Sequence, residues 1–189
     1  MDAILTSIAV VALAEIGDKT QLLAIVLAAR FRKPLPITLG ILAATLLNHA
    51  IAAGLGYVIS QWLTGSTFQI VVGIAFVLMA AWALIPDKEA TGASSRSAHG
   101  VFLATLVAFF LIEIGDKTQI ATSLLAAQFK DIGLVTVGTT IGMMLANVPA
   151  VLLGETLIKV VPLRYVRWTA ALLFAALGTS VILAAAGVL

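Results

Sequence analysis

Six stretches of this chain, at about residues 4–29, 36–60, 67–85, 101–128, 133–158 and 165–188, are apolar and long enough to cross a bilayer as helices. A hydrocarbon core about 30 Å thick takes about 20 helical residues. Of 189 residues 61% are hydrophobic and 11% charged, with mean hydropathy +1.14, whereas about a quarter of a soluble domain is charged. The expected fold is therefore an all-α membrane protein with six transmembrane helices. In the first stretch "ALA" at 12–14 resembles a signal-peptidase site. The start at Met1 and Asp2 lacks a basic region, and the apolar run resumes at once, so the segment is expected to be retained.

Charge placement orients the bundle. The first, third and fifth loops hold Arg30, Arg32, Lys33, Lys88, Arg96, Lys159, Arg164 and Arg167, while the termini and the other loops offer only Lys130. Basic loops stay in the cytoplasm, so both termini are expected on the outer, periplasmic face. The formal charge of +2 is spread between apolar runs and forms no basic patch, which argues against a nucleic-acid partner. Pro34 and Pro36 punctuate the first connection and Pro162 the fifth. The polar stretch from Pro86 to His99 falls near the midpoint and divides the chain into three parts: residues 1–85, a cytoplasmic linker at 86–99, and residues 100–189.

The two halves look like copies. The heptapeptide "EIGDKTQ" occupies residues 15–21 and again 113–119. The same shift of 98 lays Thr136 and Gly138 on Thr38 and Gly40, Gly154 on Gly56, and Phe174 on Phe76. One gapless offset that matches features in all three helices of each half indicates duplication. With three spans apiece the halves must enter the membrane in opposite senses. The expected architecture is two inverted three-helix repeats, a plan that places transporter sites near the midplane.

Glu15 and Glu113 lie near the centres of the first and fourth stretches. An acidic residue there costs about 2.5–3.5 kcal/mol, and four together on the order of 10 kcal/mol if charged and unaided. Such residues are tolerated facing the protein interior and protonated, paired or bound to a cation. In an unbroken helix Asp18 lies about 60° from Glu15, Gln21 about 60° further on, and Lys19 about 40° to the other side, which makes one polar stripe. Inverted symmetry would bring Glu15, Asp18 and Gln21 to face Glu113, Asp116 and Gln119. Oxygen-rich sites of this kind suit hard divalent cations, and a chain without cysteine offers no thiolate to softer metals. Gly17 and Gly115 could loosen the helices and free a backbone carbonyl. Thr20 and Thr118 point away from the stripe unless the helix is distorted.

A simpler reading makes Glu15 and Lys19 an i to i+4 ion pair that neutralises one polar turn. It leaves Asp18 and Asp116 unpaired and does not explain the second copy. Four acids against Lys19 and Lys117 leave a charge of minus two, which one divalent cation or two protons would cancel, so metal and protons can exchange at shared carboxylates. His49 is a proton relay, a ligand or simply a packed histidine, and the offset sets it against Asn147; Asn48, beside His49, is similarly open. Glu155 with Lys159 reads as an interfacial ion pair. Gly138 with Gly142, echoed by Gly40 with Ala44, reads as a close helix contact. Pro149 should kink its helix, and Trp62, Trp82 and Trp168 read as interface anchors.

Two copies of "EIGDKT" in the first and fourth spans of a small six-helix chain resemble uncharacterised protein family 0016, whose eukaryotic members are Golgi Mn²⁺ and Ca²⁺ transporters and whose bacterial members include manganese exporters of the MneA type. The resemblance covers essentially the whole chain. It implies a cation/proton antiporter with Glu15, Asp18, Glu113 and Asp116 as metal ligands, Lys19, Thr20, Lys117 and Thr118 as the motif tail, and a bacterial inner-membrane location. The short central linker departs from relatives with a longer acidic loop. Export of Mn²⁺ from the cytoplasm by alternating access is the expected function, with the ions as cargo and no resident cofactor. Ca²⁺/proton exchange on the same fold, an intramembrane enzyme using paired carboxylates, and a channel-forming or structural protein are the alternatives. A homodimer is left open.

Overall fold

A computed structural model describes residues 2–62, 65–85, 98–154 and 163–188, and all its elements there are helices. In chain order they are α1 (Ala3–Glu15), α2 (Lys19–Phe31), α3 (Pro34–Trp62), α4 (Ser66–Ala83), α5 (Ala98–Glu113), α6 (Lys117–Phe129), α7 (Ile132–Leu153) and α8 (Leu163–Ala185). Lys88, Arg96 and most of the linker, and Glu155, Lys159 and Pro162, lie outside the described residues.

Four helices, α3, α4, α7 and α8, are each long and apolar enough to cross a membrane. The first and fourth expected spans are not single helices. Each breaks inside the repeated motif, after Glu15 and after Glu113, and α5 and α6 meet at a bend of 69°. The physical cause is glycine. Gly17 and Gly115 adopt φ of 81° and 74°, a left-handed geometry that costs other L-residues about 1–2 kcal/mol. The following Asp18 and Asp116 are extended, at φ −81°, ψ 169° and φ −77°, ψ 166°, and each starts the next helix as its N-cap. Taken together the bent pair α5–α6 is long and apolar enough for a fifth crossing, and α1 is a shorter apolar helix of 13 residues.

The other helix ends are set by ordinary capping. Asp2 and Asp131 accept backbone N–H bonds from Ile4 and Leu134 at 3.0 and 2.8 Å, satisfying amides that a helix start leaves open. At the ends of α2 and α6, Arg32 and Lys130 turn left-handed, at φ 52° and 54°. These two positions are also 98 apart.

Small residues let the helices touch. A Cβ on Gly138 would stand 2.8 Å from the Ile4 carbonyl oxygen and the Ser7 Cβ, and one on Gly40 would stand 2.8 Å from the Phe102 carbonyl oxygen and the Thr105 Cβ. Both contacts join α1 or α5 to a long helix of the other half, and each partner is 98 residues from its counterpart. Gly142 presses on α1 at Ile8 and Ala12, and Gly56 on the backbone of Ser123 in α6. Backbone approach of this kind takes the place of the hydrophobic effect between helices in lipid.

Beside them α4 packs along α8, where Phe76 and Phe174, both wholly buried, stack with centroids 6.4 Å apart. Outward faces are apolar, with Leu35, Leu39, Leu46 and Leu55 of α3 exposed, as lipid contact requires. Trp62 and Trp168 are exposed near helix ends, whereas Trp82 is half-buried with the Lys117 ammonium 6.0 Å from its ring centroid.

Candidate functional site

The first break is half-buried at Ile16 and Gly17 and the second is exposed at Ile114 and Gly115, but the motif acids that flank both are buried. Glu15 and Glu113 are 0% exposed and Asp18 and Asp116 3%. Coulombic interaction links Glu15 to Glu113 and Asp116, and Glu113 to Asp18 and Asp116. All four carboxyl groups thus share one electrostatic neighbourhood. Each aspartate sits at a helix N-terminus but makes no side-chain cap bond to it. The positive end of the dipole favours its negative charge, and the oxygens of Asp116 are turned to other partners.

Those partners depend on the break. Lys19 Nζ is 2.6 Å from Asp116 Oδ1. The i to i+4 pairing with Glu15 is thereby corrected: ending α1 at Glu15 removes the continuous turn it needs, and Lys19 reaches the other motif. Glu15 still feels the lysine's charge. Thr118, which a straight helix would turn away, stands with its hydroxyl 3.4 Å from both Glu113 Oε2 and Asp116 Oδ2. Thr20 is buried with no hydrogen bond to its hydroxyl among the described residues. Lys117 Nζ donates to the Ile85 carbonyl at 3.0 Å.

The two glutamines brace the breaks. Gly17 N–H donates to Gln21 Oε1 at 2.8 Å, and Gly115 N–H to Gln119 Oε1 at 2.7 Å. The amide groups then reach across: Gln21 Nε2 donates to the Ala146 carbonyl at 2.9 Å, and Gln119 Nε2 to Asn48 Oδ1 at 3.5 Å. Residues 48 and 146 are 98 apart. In α7 the acceptor is the backbone carbonyl of Ala146, one residue after the Leu145 carbonyl that the missing N–H of Pro149 leaves free, and α7 remains one helix. In α3 a side chain serves instead. Asn48 is held in place by donating to the Phe110 carbonyl at 3.1 Å. Its part was hidden in the sequence because its counterpart is alanine.

The glutamates meet residues 49 and 147. Asn147 Nδ2 lies 3.4 Å from Glu15 Oε1 and 3.1 Å from the Met143 carbonyl, while His49 Nε2 lies 3.9 Å from Glu113 Oε2. Both are wholly buried. Glu15 Oε2 and Glu113 Oε1 are buried without a hydrogen-bond partner among the described residues, and a buried oxygen left so is costly until a proton or cation meets it. Among those residues no three acids or histidines already converge as a cage. A cavity of about 20 Å³, room for about one water, touches Gly17 and Asp18 and is lined also by Ala83, Lys117 and Arg167.

The family model described as "Divalent cation/proton antiporter GDT1" matches residues 3–91 and 101–188, one stretch in each half. A Vibrio cholerae protein named "Putative manganese exporter" is 53% identical over 175 residues, covering 92% of this chain and 87% of its own. "GDT1-like protein 3" of Arabidopsis thaliana is 28% identical over 207 residues, covering 95% and 69%, and the protein of that name from Oryza sativa subsp. indica is 27% identical, covering 95% and 72%. No solved structure matches. With the family model spanning both halves and both broken motifs, the chain belongs to the GDT1 family of divalent cation/proton antiporters.

Proposed function

We propose that this chain exports Mn²⁺ from a bacterial cytoplasm across the inner membrane in exchange for protons, at a site made by Glu15, Asp18, Glu113 and Asp116 with Gln21 and Gln119 holding the breaks open. The observation that carries the reading is the meeting of two interrupted helices at wholly buried glutamates, each with one oxygen that has no hydrogen-bond partner among the described residues. Manganese as the cargo is supported by the name of the Vibrio relative. Each glutamine oxygen has a second lone pair with which to join the ion's shell. Lys19, Lys117, Thr20 and Thr118 set the charge and orientation of the acids, and His49 and Asn147 flank the glutamates.

The transport geometry is two inverted repeats of three crossings, with α1–α2 and α5–α6 each one broken crossing. Its support is the recurrence of contacts at residues 98 apart: Gly40 and Gly138, Gln21 and Gln119, and Phe76 stacked on its own counterpart Phe174. Two equivalent residues touch where a two-fold axis passes between them. The reading needs no second copy of the chain. Both termini face outward in this reading, because Arg30, Arg32, Lys33 and Arg167 fall in or beside the first and fifth connections, which basic residues keep in the cytoplasm. The small cavity beside Asp18 then opens from the cytoplasmic side, and rocking of the repeats moves access to the other.

In the cycle, deprotonated acids take Mn²⁺ from the cytoplasm, and two protons arriving from outside displace it after the rocking step, which balances the charge of minus two. In proteoliposomes with a pH gradient, Mn²⁺ uptake should saturate, and Glu15→Gln or Glu113→Gln should abolish it. Uptake that neither saturates nor responds to either substitution overturns the reading. Adding Ca²⁺ and Mg²⁺ as competitors separates manganese export from Ca²⁺/proton exchange.

A further inference from the structure

We infer that His49 is itself a ligand of the transported ion and the residue that biases this site toward transition metals over Ca²⁺ and Mg²⁺. The inference rests on the export site proposed above and names a donor that the acidic motifs do not contain.

His49 is 0% exposed, in the middle of α3, and neither ring nitrogen makes a hydrogen bond among the described residues. A histidine serving only as packing would satisfy at least one nitrogen on a neighbouring carbonyl or hydroxyl. Here Nε2 instead faces Glu113 Oε2 at 3.9 Å. That is too long for a hydrogen bond. Divalent ions hold their ligands at about 2.0–2.6 Å, so two donors on one ion stand about 2.8–5 Å apart. The imidazole and the glutamate already keep a separation that one ion can bridge, and the partnerless Glu113 Oε1 belongs to the same carboxyl group.

The other half lacks this donor. Residue 147, the counterpart of 49, is asparagine: its Nδ2 is spent on Glu15 and on Met143, and its Oδ1, buried without a hydrogen-bond partner among the described residues, can offer a cation oxygen alone. The site is therefore lopsided, with one half offering only oxygen and the other offering oxygen and an imidazole nitrogen. Ca²⁺ and Mg²⁺ are hard ions that take oxygen ligands, whereas imidazole favours first-row transition metals, and increasingly so from Mn²⁺ through Fe²⁺ to Co²⁺ and Ni²⁺. One nitrogen donor among carboxylates raises Mn²⁺ over Ca²⁺ and should raise Co²⁺ further.

The chain has two histidines, and His99, at the start of α5, is exposed. In a His99→Asn variant labelled with ¹⁵N-histidine, His49 is the sole labelled residue. Pulsed electron paramagnetic resonance of bound Mn²⁺ should then show hyperfine coupling to a directly bonded ¹⁵N, and His49→Asn should remove it. In proteoliposomes, His49→Asn and His49→Gln should each lower the Mn²⁺-over-Ca²⁺ preference about tenfold or more and weaken inhibition by Co²⁺, while His99→Asn changes neither. If Mn²⁺ binds in a Glu113-dependent way with no histidine coupling, or if the folded His49 variants keep the wild-type preference, His49 is not a ligand and the export reading stands. If wild-type protein neither binds nor carries Mn²⁺, the export reading falls and takes this inference with it.

Discussion

Lys19 and Lys117 occupy the same place in two copies of one motif, yet their surroundings differ. Lys19 pairs with Asp116 at 2.6 Å, and Lys117 rests on the Ile85 carbonyl and above the Trp82 ring. Removing one partner of a buried ion pair strands the other charge, which costs about 3–5 kcal/mol. Lys19→Met should therefore lower the melting temperature in detergent, and clearly more than Lys19→Arg, which keeps the charge; an unchanged melting temperature for Lys19→Met would contradict the pairing. That the four acids would be buried in the protein interior was legible, because intramembrane charge is expensive wherever it appears. The partner of Lys19 was not, because it depends on a backbone break that a uniform turn of 100° per residue conceals.

At the scale of elements, glycine has two separate duties that substitution can tell apart. Gly115 holds φ of 74°, and a Cβ there would meet nothing within 4 Å. Gly115→Ala is thus a test of backbone geometry alone. It should cost about 1–2 kcal/mol and suppress Mn²⁺ uptake more than that loss of stability explains, because it pushes α5 and α6 toward one continuous helix. Gly56 is ordinary helix, but an added Cβ would run into the carbonyl of Ser123. Gly56→Ala should destabilise by about 1–3 kcal/mol, read as a lower melting temperature, through the α3–α6 contact. Sequence spacing pointed to Gly138 and Gly142 as packing residues, and they do press on α1. It did not distinguish glycines that permit contact from those that permit a turn. A glycine inside an apolar run is compatible with either.

Across the whole molecule, the offset of 98 read from the sequence reappears as paired contacts, most directly where Phe76 stacks on Phe174. Both rings are fully buried, and truncating either to alanine should cost about 3–5 kcal/mol. Because each ring is half of one contact, the double variant should cost clearly less than the sum of the two, and strict additivity in melting experiments would argue against the shared packing. The copies are not identical in detail: a backbone carbonyl in α7 does what an asparagine side chain does in α3, and a histidine stands where the other half has an amide.

The contacts of Gly40 with α5 and of Gly138 with α1 mean that the first helix of each half packs on the long helix of the other. Neither half holds its own packing. During synthesis α1 must wait in the bilayer, its charged end poorly hosted, until α7 emerges more than a hundred residues later, so assembly is completed only when the last third of the chain arrives. Residues 1–85 and 98–189 made as separate polypeptides should accordingly be degraded when alone, and should accumulate and copurify when made together in one cell.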